Sequence, residues 1–471
     1  MGIKRYIATQ DSSITDAFKE NLLTRATSSN MGASDSLEVF SLYGQSTTTS
    51  LEKSRILVQF PIDTIISDRD TGNIPGVGSV NFFVKLSNAP HPNSLPRNFT
   101  LSAQAVSRSW TEGIGLDMED YLDVGAVNWA SASVNTPWNT PGGDYHASPT
   151  YTQYFDNGYE DLQLNITSLV EEWIAGTKGN NGIGIMLDST QETGSTSFYT
   201  KKFFARGSQF FYKRPWIEAQ FDSSKKDDRR SFYLSSSLAP AEDNLNTIFL
   251  YNRFRGKLVN IPAVGTGSIF VSLYSGSTVP LGNPLTLHKD LTVVTGGFVS
   301  TGIYSASLAI NTSFDYVFDV WHNNAGIQFT TGSKITIVDP VDESDPSIPN
   351  YVLNITNLKS SYSTLEKARL NLFVRNKDWQ PTIYTVATNT AEGVSVEDAY
   401  FSIFRVTDNY NVISYGTGSQ NHTRLSLDRN GNYFDLHMNL LEPGYTYGIK
   451  FLFKNSLDYF EQKEVFKFRV D

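Results

Sequence analysis

The side chains best suited to chemistry in this 471-residue chain are the aromatic and acidic groups gathered between positions 110 and 145. Trp110, Trp129 and Trp138, with Tyr121 and Tyr145, fall in a long segment rich in polar residues and glycine. Aromatic rings at loop tips stack on sugar rings, whereas the aromatics of a sandwich more often pack its core. Both readings, carbohydrate contact and packing, stay open at this level. The same segment contains Gly115-Leu116-Asp117-Met118-Glu119-Asp120-Tyr121-Leu122-Asp123. Its carboxylates Asp117, Glu119, Asp120 and Asp123 could offer hard oxygen ligands to calcium, and a flexible loop suits that ion. The alternative is a solvated acidic loop. Calcium is the one cofactor the sequence brings forward.

Catalysis would need a nucleophile beside a base, a carboxylate pair in a cleft, or a metal cluster. The six histidines are scattered without the spacing of a zinc enzyme, and there is no cysteine to serve as nucleophile, thiolate ligand or disulfide. The expectation is a protein that is not an enzyme. Asp428-Arg429-Asn430-Gly431-Asn432 opens like a calcium loop, but Tyr433 stands where that loop needs glycine. A tight turn is expected there instead.

The formal charge is 38 − 48 = −10, with lysine and arginine spread along the chain. Nucleic-acid binding needs a concentrated basic stripe, so no nucleic-acid partner is expected. No window approaches 18 consecutive apolar residues, so no membrane-spanning helix is expected. The N-terminus turns polar at Thr9, Gln10 and Asp11 before any apolar run of signal-peptide length, which leads us to expect synthesis in a cytoplasm without export.

The elements that would position these groups are strands. Aromatics make up 13% of the chain and charged residues only 18%, a balance suited to half-buried pleated strands and polar turns. Runs such as Ser54-Arg55-Ile56-Leu57-Val58-Gln59-Phe60, Ser268-Ile269-Phe270-Val271-Ser272-Leu273-Tyr274 and Tyr447-Gly448-Ile449-Lys450-Phe451-Leu452-Phe453 have strand character. One short helix is expected at 168–176, with Ser168 and Glu171 at capping-box spacing, one face of Leu169, Val170, Trp173 and Ile174, and Gly176 as its stop.

The fold class is therefore all-β: tandem antiparallel β-sandwiches, with immunoglobulin-like strand spacing in the later two. A polar N-terminal arm is expected over 1–30, a first sandwich over 31–222, a second over 231–340 and a third over 347–471. The short charged run at 223–230, where Asp227 and Asp228 sit between two basic pairs, and the acidic, proline-containing run at 339–346 are read as linkers.

Taken in order, several segments of the first region resemble the DNRLRE-type β-sandwich family. Asn30-Met31-Gly32-Ala33-Ser34-Asp35-Ser36-Leu37-Glu38-Val39 is similar to its opening, and the run from Ser54 to its first long core strand. Ser109-Trp110-Thr111-Glu112-Gly113, Val127-Asn128-Trp129 and Trp138 are similar to its tryptophan-marked loops, 164–173 to its capped helix, and 180–185, 203–208 and 214–218 to its closing strands. The resemblance covers about residues 7–222 and implies a jelly-roll sandwich; free-standing secreted members are associated with polysaccharide binding and cell-surface adhesion. The whole chain, with Tyr274-Ser275-Gly276-Ser277 and Phe318-Asp319-Val320-Trp321 in its later sandwiches, resembles virion structural proteins of large tailed bacteriophages of the marine myophage kind. That resemblance implies a structural role in the tail, neck, collar or capsid, with copies of itself and other virion proteins as partners. It also implies location in a virion assembled in the host cytoplasm. The alternative is a carbohydrate-binding module that recognises a host-surface glycan through the loop tryptophans.

Overall fold

The computed structural model describes residues 2–44, 50–92, 94–119, 123, 125–287, 291–338, 350–383, 393–455 and 458–471. The chain folds as two compact units, Gly2–Asp222 and Ser223–Asp471. Nearly all its regular structure is antiparallel strand, arranged as tandem sandwiches. Among the described residues no helix is long and apolar enough to cross a membrane.

In the first unit a four-stranded sheet runs in the order Ile3–Ile7, Trp216–Gln220, Asn81–Leu86, Leu162–Asn165. It faces a larger sheet in the order Phe198–Phe204, Ser36–Tyr43, Leu51–Gln59, Ile183–Leu187, Phe99–Val106, Tyr145–Phe155. Successive side chains on a strand point to opposite faces. In Leu51–Gln59, Ile56 and Val58 therefore enter the core between the sheets, while Leu57 enters a second apolar layer with Ile14, Val106 and three tryptophans. The larger sheet is buried on both faces here, which is why this strand reads as a continuous apolar run.

The N-terminal residues do not form a free arm. Ile3–Ile7 pairs with Trp216–Gln220, and Gln10–Thr15 pairs with Leu51–Gln59 from Gln10↔Gln59 to Thr15↔Ser54. Ser12, Ser13 and Thr15 are buried although polar, and Ile14 is fully enclosed. Their small hydroxyl side chains disguise a core strand as a polar tail.

Among the described residues three α-helical segments are complete where one was expected. Ile62–Asp70 begins directly after Pro61 and buries only Ile65, so its sequence shows no apolar stripe. Thr167–Ile174 buries Leu169, Val170 and Trp173. Its start is not a capping box: the Ser168 hydroxyl shares a 2.7 Å hydrogen bond with Tyr151, and Glu171 receives Arg69 of the preceding helix at 2.7 Å. Its end is as expected. Gly176, at φ +70°, donates to the Trp173 carbonyl and Thr177 to that of Glu172, the two bonds of a Schellman stop. Ser189–Glu192 adds one further turn.

The second unit contains two sandwiches. The last has sheets in the orders Tyr351–Ile355, Lys367–Asn376, Gly431–His437, Ser426–Asp428 and Ser361–Tyr362, Phe466–Val470, Thr446–Lys454, Ala399–Arg405, Asn411–Ile413. This is the strand arrangement of an immunoglobulin domain. Phe401 and Phe434 stack across the two sheets with centroids 4.4 Å apart. The fully buried Tyr447 donates from its hydroxyl to the Glu442 carbonyl at 2.7 Å, forming the tyrosine corner of such folds. Asp428 pairs with Gly431 around Arg429 and Asn430, so the run resembling a calcium loop is a two-residue hairpin turn.

The middle sandwich closes around Phe232, Tyr304 and Trp321 as one continuous eight-stranded network. Val294–Ser300 holds it together by pairing first with Ile269–Tyr274 and then with Ile303–Leu308. At that crossing a Cβ on Gly296 would stand 2.5 Å from the Ser305 carbonyl oxygen, so only glycine fits. In both sandwiches a two-residue strand near the start runs parallel to the last described strand, Phe232–Tyr233 with Ile335–Val338 and Ser361–Tyr362 with Phe466–Val470. The expected linker at 339–346 lies outside the described residues.

Candidate functional site

The tryptophan segment forms a core, not a sugar platform. Trp110, Trp129 and Trp138 are 6%, 5% and 4% exposed and pack with Ile14, Leu57, Val106, Val127 and Ala132. The indole N–H of Trp110 donates to the Asn181 carbonyl and that of Trp138 to the Asn128 carbonyl, each at 2.9 Å. Ile14, Leu57 and Val106 give the outer sheet face an apolar surface, and the tryptophan loops cover it. Tyr145 lies against the same layer, its hydroxyl donating to Gly142 at 2.8 Å, and burial pushes its phenol up to about 12. Arg55 lies over the rings of Trp129 and Tyr145 and forks onto Glu192 at 2.7 and 2.6 Å. Tyr121 lies outside the described residues.

The described carboxylates of the acidic loop accept hydrogen bonds from backbone N–H groups. Asp117 accepts from the Glu119 N–H at 2.9 Å, Glu119 from the Glu20 N–H at 2.7 Å, and Asp123 from the Ile114 N–H at 3.0 Å. These carboxylates brace three different turns and do not converge on calcium. Among the described residues no three His, Asp or Glu side chains are placed to hold a metal ion. Asp120 lies outside them.

The structure instead gathers chemistry at 223–230, the run expected to be a solvated linker. The segment lies beside the last sandwich: the Lys225 N–H donates to the Ser426 hydroxyl, the Leu427 N–H to the Lys225 carbonyl, and the Asp227 N–H to the Leu427 carbonyl. It then turns into the middle sandwich, where Arg229 donates to Asp227, to the Phe249 carbonyl and to Asp319, each at 2.6 Å. Arg230 donates to the Gly393 carbonyl of the last sandwich, and Lys226 pairs with Glu397 at 3.0 Å. Lys226, Asp227, Asp228, Arg229 and Arg230 each have a polar partner among the described residues. Asp227 and Asp228 are 5% and 8% exposed. Burial pushes the Asp227 carboxyl up to about 6, with Arg229 opposing. Asp319, fully enclosed within an apolar strand, also accepts the Trp321 indole N–H at 2.6 Å. The one hint in the sequence was an aspartate inside the run Phe318-Asp319-Val320-Trp321.

Beside this junction a cavity of about 190 Å³ opens between the two sandwiches of the second unit. Lys225, Arg253, Lys367, Arg369 and Arg424 line it, with Asp435 as the carboxylate among them. Lys367 and Arg369 each approach Asp435 at 3.5 Å, and Arg369 lies 3.8 Å over the Tyr433 ring. Burial alone would raise the Asp435 carboxyl, but Lys367 and Arg369 hold it below the ordinary aspartate range. Arg424 turns to Asp398 at 2.9 Å. A larger cavity of about 810 Å³ in the middle sandwich is lined mainly by serine, alanine and leucine and assembles no charged cluster among the described residues.

No family model matches the chain, and no curated protein matches it. Among solved structures, an adhesin of Yersinia pseudotuberculosis, InvE, is similar at 12% identity over 50% of this chain and 56% of that chain, with a TM-score of 0.16. A likeness at that score carries no argument about fold or function.

Proposed function

We propose that the chain is a structural component of a tailed-phage virion, working through protein–protein interfaces with copies of itself and other virion proteins and not as an enzyme. The observation that carries this reading is the junction at 223–230, where Arg229 bridges Asp227 and Asp319 while neighbouring backbone groups pair with the last sandwich. Enclosing charges is costly unless they are paired and hydrogen-bonded. Such a junction holds two immunoglobulin-like sandwiches in one fixed relation, as a block in a regular assembly requires. Exposed strand edges and loop tips would supply the contacts, with repeated copies multiplying weak ones.

Residues 3–15 are sandwich strands, so the test uses the intact chain. Mass photometry over a wide concentration range should find a defined oligomer. A chain that stays monomeric throughout and binds a glycan array would overturn the assembly reading in favour of host-surface recognition.

A further inference from the structure

The chain carries a net charge of −10, yet five cationic side chains meet one carboxylate around the 190 Å³ cavity between its two immunoglobulin-like sandwiches. Asp435 is already shared between Lys367 and Arg369, and Arg424 is engaged by Asp398. Among the described residues the Lys225 ammonium has no carboxylate within ion-pair distance. Burial lowers its affinity for a proton, and the charges of Lys367 and Arg369 lower it further, against the pull of Asp435. The buried hydroxyl of Tyr251, also on the lining, lies beside the Tyr433 phenol but has no well-formed hydrogen bond to any described protein group. An enclosed donor whose neighbouring acceptor is poorly aligned is costly, and so is a group of like charges. One oxyanion would relieve both.

We propose that this cavity binds a tetrahedral oxyanion, phosphate or sulfate, held by Lys225, Lys367 and Arg369 with the Tyr251 hydroxyl as a neutral donor. Its size suits an ion, since pockets for organic ligands run to roughly 300–1,000 Å³. Lys225 belongs to the segment that crosses between the sandwiches, Tyr251 to the middle sandwich, and Lys367 and Arg369 to the last, so the ion adds a tie across the junction. This inference does not depend on the assembly reading.

The test is calorimetric titration of the intact chain with inorganic phosphate, and separately with sulfate, at constant ionic strength maintained by chloride. One saturable site is expected. Lys225→Met and Arg369→Met should each weaken binding by about tenfold or more, as expected for loss of a charge-assisted contact. Tyr251→Phe, which keeps the ring and the fold, should weaken it by a smaller factor. Lys454→Met, on the same sandwich but outside the cavity lining, should leave it unchanged. Absence of a saturable site in the wild-type chain would overturn the proposal. So would affinity unchanged in Tyr251→Phe together with whichever cation variants fold.

Discussion

The guanidinium of Arg229 donates to the enclosed carboxylate of Asp319 at 2.6 Å, across ninety positions of sequence. Asp319 Oδ2 receives both Arg229 and the Trp321 indole, while Oδ1 has no hydrogen-bond partner among the described residues. This carboxylate depends on its arginine. Removing one partner of a buried pair costs about 3–5 kcal/mol, because the other charge stays enclosed. Arg229→Met should therefore destabilise the 223–471 unit by about that amount and leave the 2–222 transition in place. Adding Asp319→Asn should recover part of the loss. Denaturant unfolding measures both, and equal stability of Arg229→Met and wild type would contradict the role given to the pair.

Gly332 sits against the same carboxylate. A Cβ there would stand 1.8 Å from Asp319 Oδ1, while the Gly332 N–H donates to the Asp319 carbonyl at 2.7 Å. Gly332→Ala should cost about 1–3 kcal/mol by forcing the buried aspartate aside. A thermal melt indistinguishable from wild type would show that the strand yields more readily than this packing implies.

The tryptophan loops give a separate test. Trp138 is 4% exposed and hydrogen-bonded through its indole. Trp138→Ala should lower the stability of the first unit by about 3–5 kcal/mol, as expected when a large core side chain is cut back. If instead the variant kept its stability and lost affinity for a glycan, the packing assignment would fail.

Glu218 supplies the pH test. Burial alone would raise its carboxyl, but Arg5 and Lys85, each 2.8 Å away, hold it down to about 2. A carboxyl lowered on folding contributes stability above its unfolded value and loses it as pH falls toward the folded one. The shift corresponds to a contribution on the order of 3 kcal/mol. Wild type should exceed Glu218→Gln by about that amount at pH 7, and the gap should close between pH 4.5 and 2. A gap constant across that window would rule out the linkage. Because Arg5 lies on the first strand, the same data test whether the N-terminus is a working part of the sandwich.

The sandwich class was legible because alternation in strands such as Lys367–Asn376 is a local property, and so was the Gly176 stop, which one residue type decides. Other features required knowledge of a distant partner. The strand Gln10–Thr15 is built from serine and threonine and becomes apolar in effect only when its hydroxyls find acceptors. The helix at Ile62–Asp70 buries one side chain and leaves no periodic trace. For the tryptophans packing was one of two roles left open, because a loop that roofs a sheet and a loop that offers rings to a ligand share a composition. The run at 223–230 looked solvated because it is short, polar and charged, yet its side chains pair with Asp319, Glu397 and backbone groups far along the chain.

The central structural claim is that this run fixes the two immunoglobulin-like sandwiches as one body. The chain has no native cysteine, so cysteines introduced at the exposed strand positions Thr295 and Asn371 would carry the only spin labels. Double electron–electron resonance should give one narrow distance distribution in the otherwise wild-type chain and a broad one when Arg229→Met is added. A broad distribution in the wild-type background would contradict the claim.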